Sequence, residues 1–568
     1  MPALYFPPMP AHNRPSWLQV LMNISHTFQN KRETVEDQAN RLTEIIKNAG
    51  KTFTGSQLKI VSEECPFKKS LLDNIYEGLH RSFDKNNGGF GGAPKFPGTM
   101  SLAYLMSYHY HTGKKEALDH ALFSLDKMAM GGIYDHLGGG FARYTVDAKW
   151  LVPHFEKMLY DNALLVGILS DAYKITQKEL YKERIQETLD WVAREMTDSD
   201  GGFYSAQDAD SEGVEGKYYV WDRSEIMEAL GADAVFFNGF YDVTEKGNWE
   251  EKNILWQKHT FGEYAEMIGA EESFLKTKLA ALREKLFATR DKRVHPGLDD
   301  KILLDWNALM CSAYAKAYTA LGHEHYKEVA VKNLNFLLEK FQQKDSVKFY
   351  HTYKNGSVQY DAFLDDYAFL IEALIDVHEI TFDTSYLLQA GRLTEYVVEH
   401  FFDSADKLFY FTSSEQKDVP LRRKDLYDSA TPSGNSTMVR NLQRIGILLG
   451  NEEYRTLATD MLRTMKNSIE KYPSSFSRWA TAMMSEIFGI PEIAVVGVNA
   501  TVTAQAINSH FIPQKTMMSS IETNDHFPML VGKEPEAETL IYLCQDYACQ
   551  QPVKTVEELK QSLASRLS

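Results

Sequence analysis

A loop that recurs constrains this chain more than any other feature. Five stretches share its character: NNGGFGGAPKFP (86–97), LGGGFARYTVD (137–147), DGGFYSAQDAD (200–210), VKFYHTYKNGS (347–357) and KLFYFTSSEQ (407–416). Most join an aromatic ring to glycines, which reach backbone conformations closed to other residues. The central rings are Phe90, Phe141, Phe203, Phe349 and Phe409, separated by 51, 62, 146 and 60 residues. Between them lie helix-length segments with apolar residues at helical spacing, among them Ser70–Asp84, Ser101–Thr112, His154–Thr176, Trp306–Leu321, Asp365–Ile380 and Asn435–Leu449. A helical hairpin plus one loop, repeated roughly every 50 to 65 residues, marks a repeat architecture. About six such hairpins close into an α/α toroid, mainly α, with the loops collected at one end of a central cavity. The long interval leaves room for one divergent repeat near Asn253-Ile254-Leu255-Trp256.

The two ends read differently. Tyr5-Phe6-Pro7-Pro8 is extended chain, and Trp17 to Ile46 is an amphipathic helix or a pair of helices. After Pro491, Ile493–Val498 and Leu540–Leu543 have the length and branching of strands, with helical Thr503–Ser509 and Val556–Leu567 between and after them. This predicts a small C-terminal α/β module, without a GxGxxG or GxxxxGK[ST] fingerprint.

Charge narrows the partners. The net charge is −17, from 78 acidic and 61 basic residues, which argues against nucleic acid and anionic membrane. No run reaches the roughly 18 apolar residues of a membrane span, and no secretory signal is visible, so a cytoplasmic protein is expected. Cys65, Cys311, Cys544 and Cys549 are too few for a disulfide scaffold. Cys544 and Cys549 lack the second pair that zinc would need, and form no redox CxxC. Neither a cofactor nor a metal is expected.

The densest chemistry lies in Gly131–Asp161. His136, Arg143, His154, Glu156, Lys157 and Asp161 could supply the base, acid and oxyanion clamp of a sugar epimerase, or a polar network fastening loop to helix. Pro153 suits the first position of a helix. That helix would put His154, Met158 and Asp161 on one face and lower the proton affinity of His154 by its dipole. Glycoside hydrolysis instead wants two carboxyl groups. Candidates are Asp208, with Asp210 beside it, and Asp365 and Asp366, which could equally be stabilising a helix start. Asp208 to Tyr219 is not a calcium loop, because its twelfth position lacks the glutamate. Asp305 reads as a helix cap, Trp306 as a sugar-stacking platform, and Asn307, Tyr367, Phe90, Lys95, Tyr144 and Trp150 as further candidate lining.

Gly88–Pro97, Gly131–Tyr144, WLVPHFEKMLYDN (150–162), FYSAQDADSEGVEG (203–216), Asp305-Trp306-Asn307 and ATPSGN (430–435) together resemble one family over essentially the whole chain. It is that of the spermatogenesis-associated, thioredoxin-domain-containing proteins and their bacterial relatives. The resemblance implies a thioredoxin-like domain followed by a six-hairpin, glycosidase-like barrel similar to N-acylglucosamine 2-epimerases. Here only the tail of the thioredoxin-like domain is present, without its cysteines. The expected division is therefore a remnant over 1–50, the barrel over 51–490 and the α/β module over 491–568. It leaves room for a partner supplying the missing portion, and no disulfide-reductase activity is expected. The function expected is that of a carbohydrate-active protein, an epimerase/isomerase or glycoside hydrolase acting on a small sugar. The alternative is a non-catalytic carbohydrate-binding or scaffold protein that keeps the barrel.

Overall fold

The computed structural model describes residues 6–7, 9–10, 14–49, 67–419, 421–535 and 538–567. Tyr5, Pro8, Cys65 and the expected boundary near residue 50 lie outside them. The chain is an α/α toroid. Its inner ring is built from Thr99–Thr112, Leu159–Thr176, Leu304–Leu321, Leu364–Thr381, Gly434–Leu449 and Ser477–Phe488. Each packs on the next, and the last packs on the first, so the ring closes. An outer ring of Lys69–His80, Lys115–Met130, Glu179–Glu195, Glu324–Phe341, Thr384–Phe401 and Glu452–Lys471 surrounds it.

The two rings differ as their sequences demand. The inner helix Leu364–Thr381 is apolar around most of its circumference and buries Leu364, Phe369, Leu370, Ile371, Leu374, Ile375 and Val377. The outer helix Glu452–Lys471 is charged on one side and buries Ala458, Met461, Leu462, Met465 and Ile469, one stripe at helical spacing. Ser433 and Asn451 cap their helices by accepting the Ser436 and Tyr454 N–H groups.

Two expectations need correction. The segment between Phe203 and the inner helix at Leu304 is not a further barrel repeat. It is an insertion with helices Arg223–Leu230, Ala234–Phe240, Phe261–Ile268 and Glu272–Arg290 and its own core around Trp221, Phe237 and Leu279. A short three-stranded sheet, Lys157–Met158 with Ala206–Gln207 with Leu298–Asp299, ties it to the barrel. The helix expected from His154 begins at Leu159 instead. Residues Pro153–His154 are drawn into a strand against Tyr144–Thr145, and Lys157–Met158 into the insertion's sheet. Cross-strand hydrogen bonds there replace the helical ones that Pro153 would have started.

The C-terminal module is a four-stranded sheet in the order Thr516–Ser520, Glu492–Val496, Leu540–Gln545, Ala548–Cys549, with helices Ala500–Asn508 and Val556–Leu567. Its first two strands are parallel and the other pairings antiparallel. Cys544 faces Cys549 across the last hairpin and forms a disulfide with it, a pairing their spacing did not suggest. Cys311 is a buried free thiol. The described N-terminal residues form two helices, Trp17–Asn30 and Arg32–Ala49, packed on each other. No described helix is long and apolar enough to cross a membrane.

Candidate active site at the loop end of the ring

Each loop is tied to the outer helix before it, and four of the five are also tied to the inner helix after it. Toward the preceding outer helix, Phe90 bridges Phe83, Phe141 bridges Tyr134, Phe203 bridges Thr197, Phe349 bridges Gln342 and Phe409 bridges Phe402. All five therefore gather at one end of the toroid, the N-terminal end of the inner helices. Toward the following inner helix, the tie in three of them is a side-chain amide. The Phe141 N–H donates to Asn162 Oδ1 at 2.7 Å, and Asn162 Nδ2 donates to the Phe141 carbonyl at 3.0 Å. Asn307 holds Phe203 in the same way at 2.7 and 2.9 Å, and Asn435 holds Phe409 at 2.8 and 2.9 Å. Tyr367 stands in the same place and accepts from the Phe349 N–H at 3.0 Å. These clamps fix what lies beside them. Two residues past the ring come Arg143 and His351, and just before the clamp come Asp161, Trp306 and Asp366.

His351, on the strand Tyr350–Lys354, brings Nδ1 to 2.9 Å from both oxygens of Asp366. Asp366 also accepts the Phe363 N–H at 2.7 Å and the Asp305 N–H at 3.1 Å. Asp365 accepts the Gly434 N–H of the next inner helix at 2.9 Å. Burial, reinforced by the Asp366 charge, pushes the Asp305 carboxyl up to about 7. Burial and the neighbouring Asp305, Asp366 and Asp425 charges raise Asp365 well above the usual carboxylate range. Burial pulls His351 down, but Asp366, Asp305 and Asp365 outweigh it and carry the ring up to about 9. Asp305, His351 and Asp366 bring one ligand atom each to within 4.8 Å of one another, a set that could hold one cation, although His351 Nδ1 is already engaged with Asp366.

The second half of the site lies across Trp306, whose ring meets Tyr160 edge-on at 4.8 Å. Arg143 Nη1 lies 3.2 Å from Glu156 Oε2. His154 lies 2.7 Å from Glu215 Oε1 through Nδ1 and 3.7 Å from Glu156 Oε2 through Nε2. These carboxylates, Glu156 and then Glu215, outweigh desolvation and raise the His154 pKa. That reverses the helix-dipole expectation, because no helix starts at His154. Its imidazole, 29% exposed, stacks on Tyr144, which in turn stacks on Phe96. Asp161 is buried, and desolvation holds its carboxyl well above the usual range despite Arg143. The site thus combines carboxyl groups that keep protons near neutrality with two imidazoles of raised proton affinity and aromatic faces.

Several expected residues have other work. His136 is buried against Tyr134 and Tyr241, bonds the Gly131 carbonyl at 2.9 Å, and is lowered to about 3 by burial and Arg184. Lys95 is sealed between Asp84 and the Ala148 carbonyl, and Trp150 donates to the Asn87 carbonyl. Phe90 packs between Phe83 and His120. Lys157 lies 2.9 Å from Asp135, whose other partner is the bidentate Arg290 at 2.7 and 2.8 Å. Asp135, held well below the usual range by Arg290 and Lys157 in spite of burial, is the bolt joining the glycine loop to the insertion. Asn307 and Tyr367 are clamps. Asp208 and Asp210 are exposed at the insertion hairpin that also carries Glu215. Asp305 is not the helix cap, since the helix begins at Leu304 and Asp305 sits in its first turn.

The ring and its rim define a six-hairpin α/α toroid with an acid–base cluster among its loops. No family model matches the chain. It is 30% identical to spermatogenesis-associated protein 20 of Homo sapiens across 98% of its own length and 77% of that protein. An uncharacterised Caenorhabditis elegans protein is 28% identical, over 98% of this chain and 80% of its own. The chain belongs to the family of spermatogenesis-associated protein 20. Among solved structures, cellobiose 2-epimerase from Bacillus thermoamylovorans is 11% identical with a TM-score of 0.45, over 71% of this chain and 87% of its own. A GH76 α-mannanase from Bacteroides thetaiotaomicron is 13% identical with a TM-score of 0.44, over 74% and 94%. At these identities the likeness is one of overall fold, and chemistry has to come from this chain's own residues.

Proposed function

We propose that the protein is a carbohydrate-active enzyme working on a small sugar at this rim, with glycoside hydrolysis as the leading reaction. One observation carries the reading: Asp305, a carboxyl group titrating at about 7, stands beside the fixed Asp366 in a partly exposed cluster. Hydrolysis of a glycoside needs one carboxyl group that gives a proton to the leaving oxygen and one that acts as base or nucleophile. Asp305 is suited to the first role, and Asp366, closed in by His351 and two backbone N–H groups, stands next to it for the second. Trp306, half-buried and backed by the buried Tyr160, offers a flat apolar face of the kind sugars cover. Epimerisation is the second reading, favoured by the paired imidazole and guanidinium of His154 and Arg143, which could move a proton beside a carbonyl and hold the resulting oxyanion.

Mass-spectrometric screening of purified protein against oligosaccharide and monosaccharide pools tests this. Hydrolysis yields two products and takes up one water. Epimerisation in ²H₂O leaves the skeleton intact and adds one carbon-bound deuterium. The Asp305→Asn variant is expected to lose turnover while staying folded. Sugars that bind the wild type and leave unchanged would overturn the enzymatic reading in favour of a binding protein.

A further inference from the structure

A cavity of about 170 Å³ lies on the barrel axis toward the C-terminal ends of the inner helices. Glu372, at its upper edge, is seven residues beyond Asp365, which places it about 10 Å below the rim. The segment Asn508–Lys515 of the C-terminal module lines its other side. Six cationic side chains and four carboxylates line it, an excess of positive charge in an otherwise acidic protein.

The pairing within it is incomplete in one direction. Arg478 pairs with Glu372, and Arg444 Nη1 lies 2.7 Å from Asp376 while its Nη2 lies 3.1 Å from Glu379. Lys515 lies 2.9 Å from Glu379, and Lys316 lies 3.7 Å from Asp171. All four carboxylates are thereby engaged. Arg440 and Lys174 make no hydrogen bond or ion pair among the described residues, and Arg444 Nε and Arg478 Nε are buried without a partner. Both are half-buried in the cavity wall with no contact of their own to a carboxylate, and a cation partly withdrawn from water gains from an anionic ligand that can reach it. Burial and the adjacent Arg444 and Arg478 depress Arg440 to about 10, and burial lowers Lys174 to about 8.

We propose that this axial cavity binds a small multiply charged oxyanion, a phosphate group, between Arg440 and Lys174. Arginine suits such a ligand because its planar fork meets two oxygens at once. The phosphate can arrive free or as the phosphoryl group of a small metabolite. Either source would brace the inner ring against the C-terminal module, since Lys174 and Arg440 belong to the ring and Asn508–Lys515 to the module.

Thermal melting and isothermal titration with inorganic phosphate, with glucose 6-phosphate, and with sodium chloride at matched ionic strength test it. Saturable stabilisation by phosphate but not chloride is expected. A response to glucose 6-phosphate alone would assign the site to a phosphorylated metabolite. Arg440→Gln and Lys174→Gln should each weaken phosphate binding at least tenfold. The anion-free Arg440→Gln protein should melt no lower than the wild type, because the change relieves repulsion from Arg444 and Arg478. A wild type that responds to neither phosphate beyond the chloride control, or variants that respond as the wild type does, would overturn the proposal. Rim variants such as Asp305→Asn should bind phosphate normally, so this outcome is independent of the sugar reading.

Discussion

His351 sets the charge of the rim. With its pKa carried to about 9 by Asp366, it is an imidazolium throughout the neutral range. The sign follows from linkage: a histidine raised above its usual 6.5 stabilises the fold fully below that value, and the contribution is lost as pH rises through about 9. Nitrogen NMR titration of His351 should find its midpoint well above 8, and Asp366→Asn should lower it markedly, leaving only the weaker pull of Asp305 and Asp365 against burial. A His351 midpoint at the ordinary value would mean that the Asp366 contact does not exist in solution. Asp305 makes the complementary prediction for catalysis. If it is the proton donor, turnover should fall as pH rises through about 7, and Asp305→Asn should abolish that limb together with most of the rate. His351 was not legible as a functional residue, because a lone histidine in a strand says nothing by itself. Its signal was positional, two residues past a loop phenylalanine, where Arg143 also stands.

At the scale of elements, the clamps carry the most weight. Asn162 makes three hydrogen bonds within buried surroundings, to the Phe141 N–H, the Phe141 carbonyl and the Met158 carbonyl. Asn162→Ala should cost about 2–4 kcal/mol in urea unfolding, since it strands a buried N–H and carbonyl, and Asn307→Ala and Asn435→Ala should cost about the same. The glycine loop should be as intolerant. Gly139 has φ +81°, and a Cβ there would sit 2.1 Å from the Glu187 carbonyl, so Gly139→Ala should destabilise by about 3 kcal/mol. The helices were legible because their apolar spacing is a property of each segment alone. The helix start at Leu159 was not, because Pro153–Met158 is decided by two strands from elsewhere, Tyr144–Thr145 and Ala206–Gln207. Lys95, Trp150 and Lys157 drew notice for chemistry yet are fasteners; their partners Asp84, Asn87 and Asp135 are too distant in sequence or too ordinary in type to announce it.

For the whole molecule, the six hairpins and the α/β module follow from periodicity and loop recurrence, while the insertion between Phe203 and Leu304 broke the period and hid as a long interval. The toroid places two polar centres on one axis, a carboxyl-rich rim above and a cation-rich cavity below. The central claim is that the rim is where chemistry occurs. The most direct test is to run wild type, Asp305→Asn and Asp366→Asn side by side on any sugar that the wild type turns over, with melting temperature measured on the same samples. The account predicts that both variants lose turnover by a hundredfold or more, and that Asp305→Asn melts within a few degrees of the wild type. Turnover that survives in both variants would place the chemistry elsewhere and contradict it.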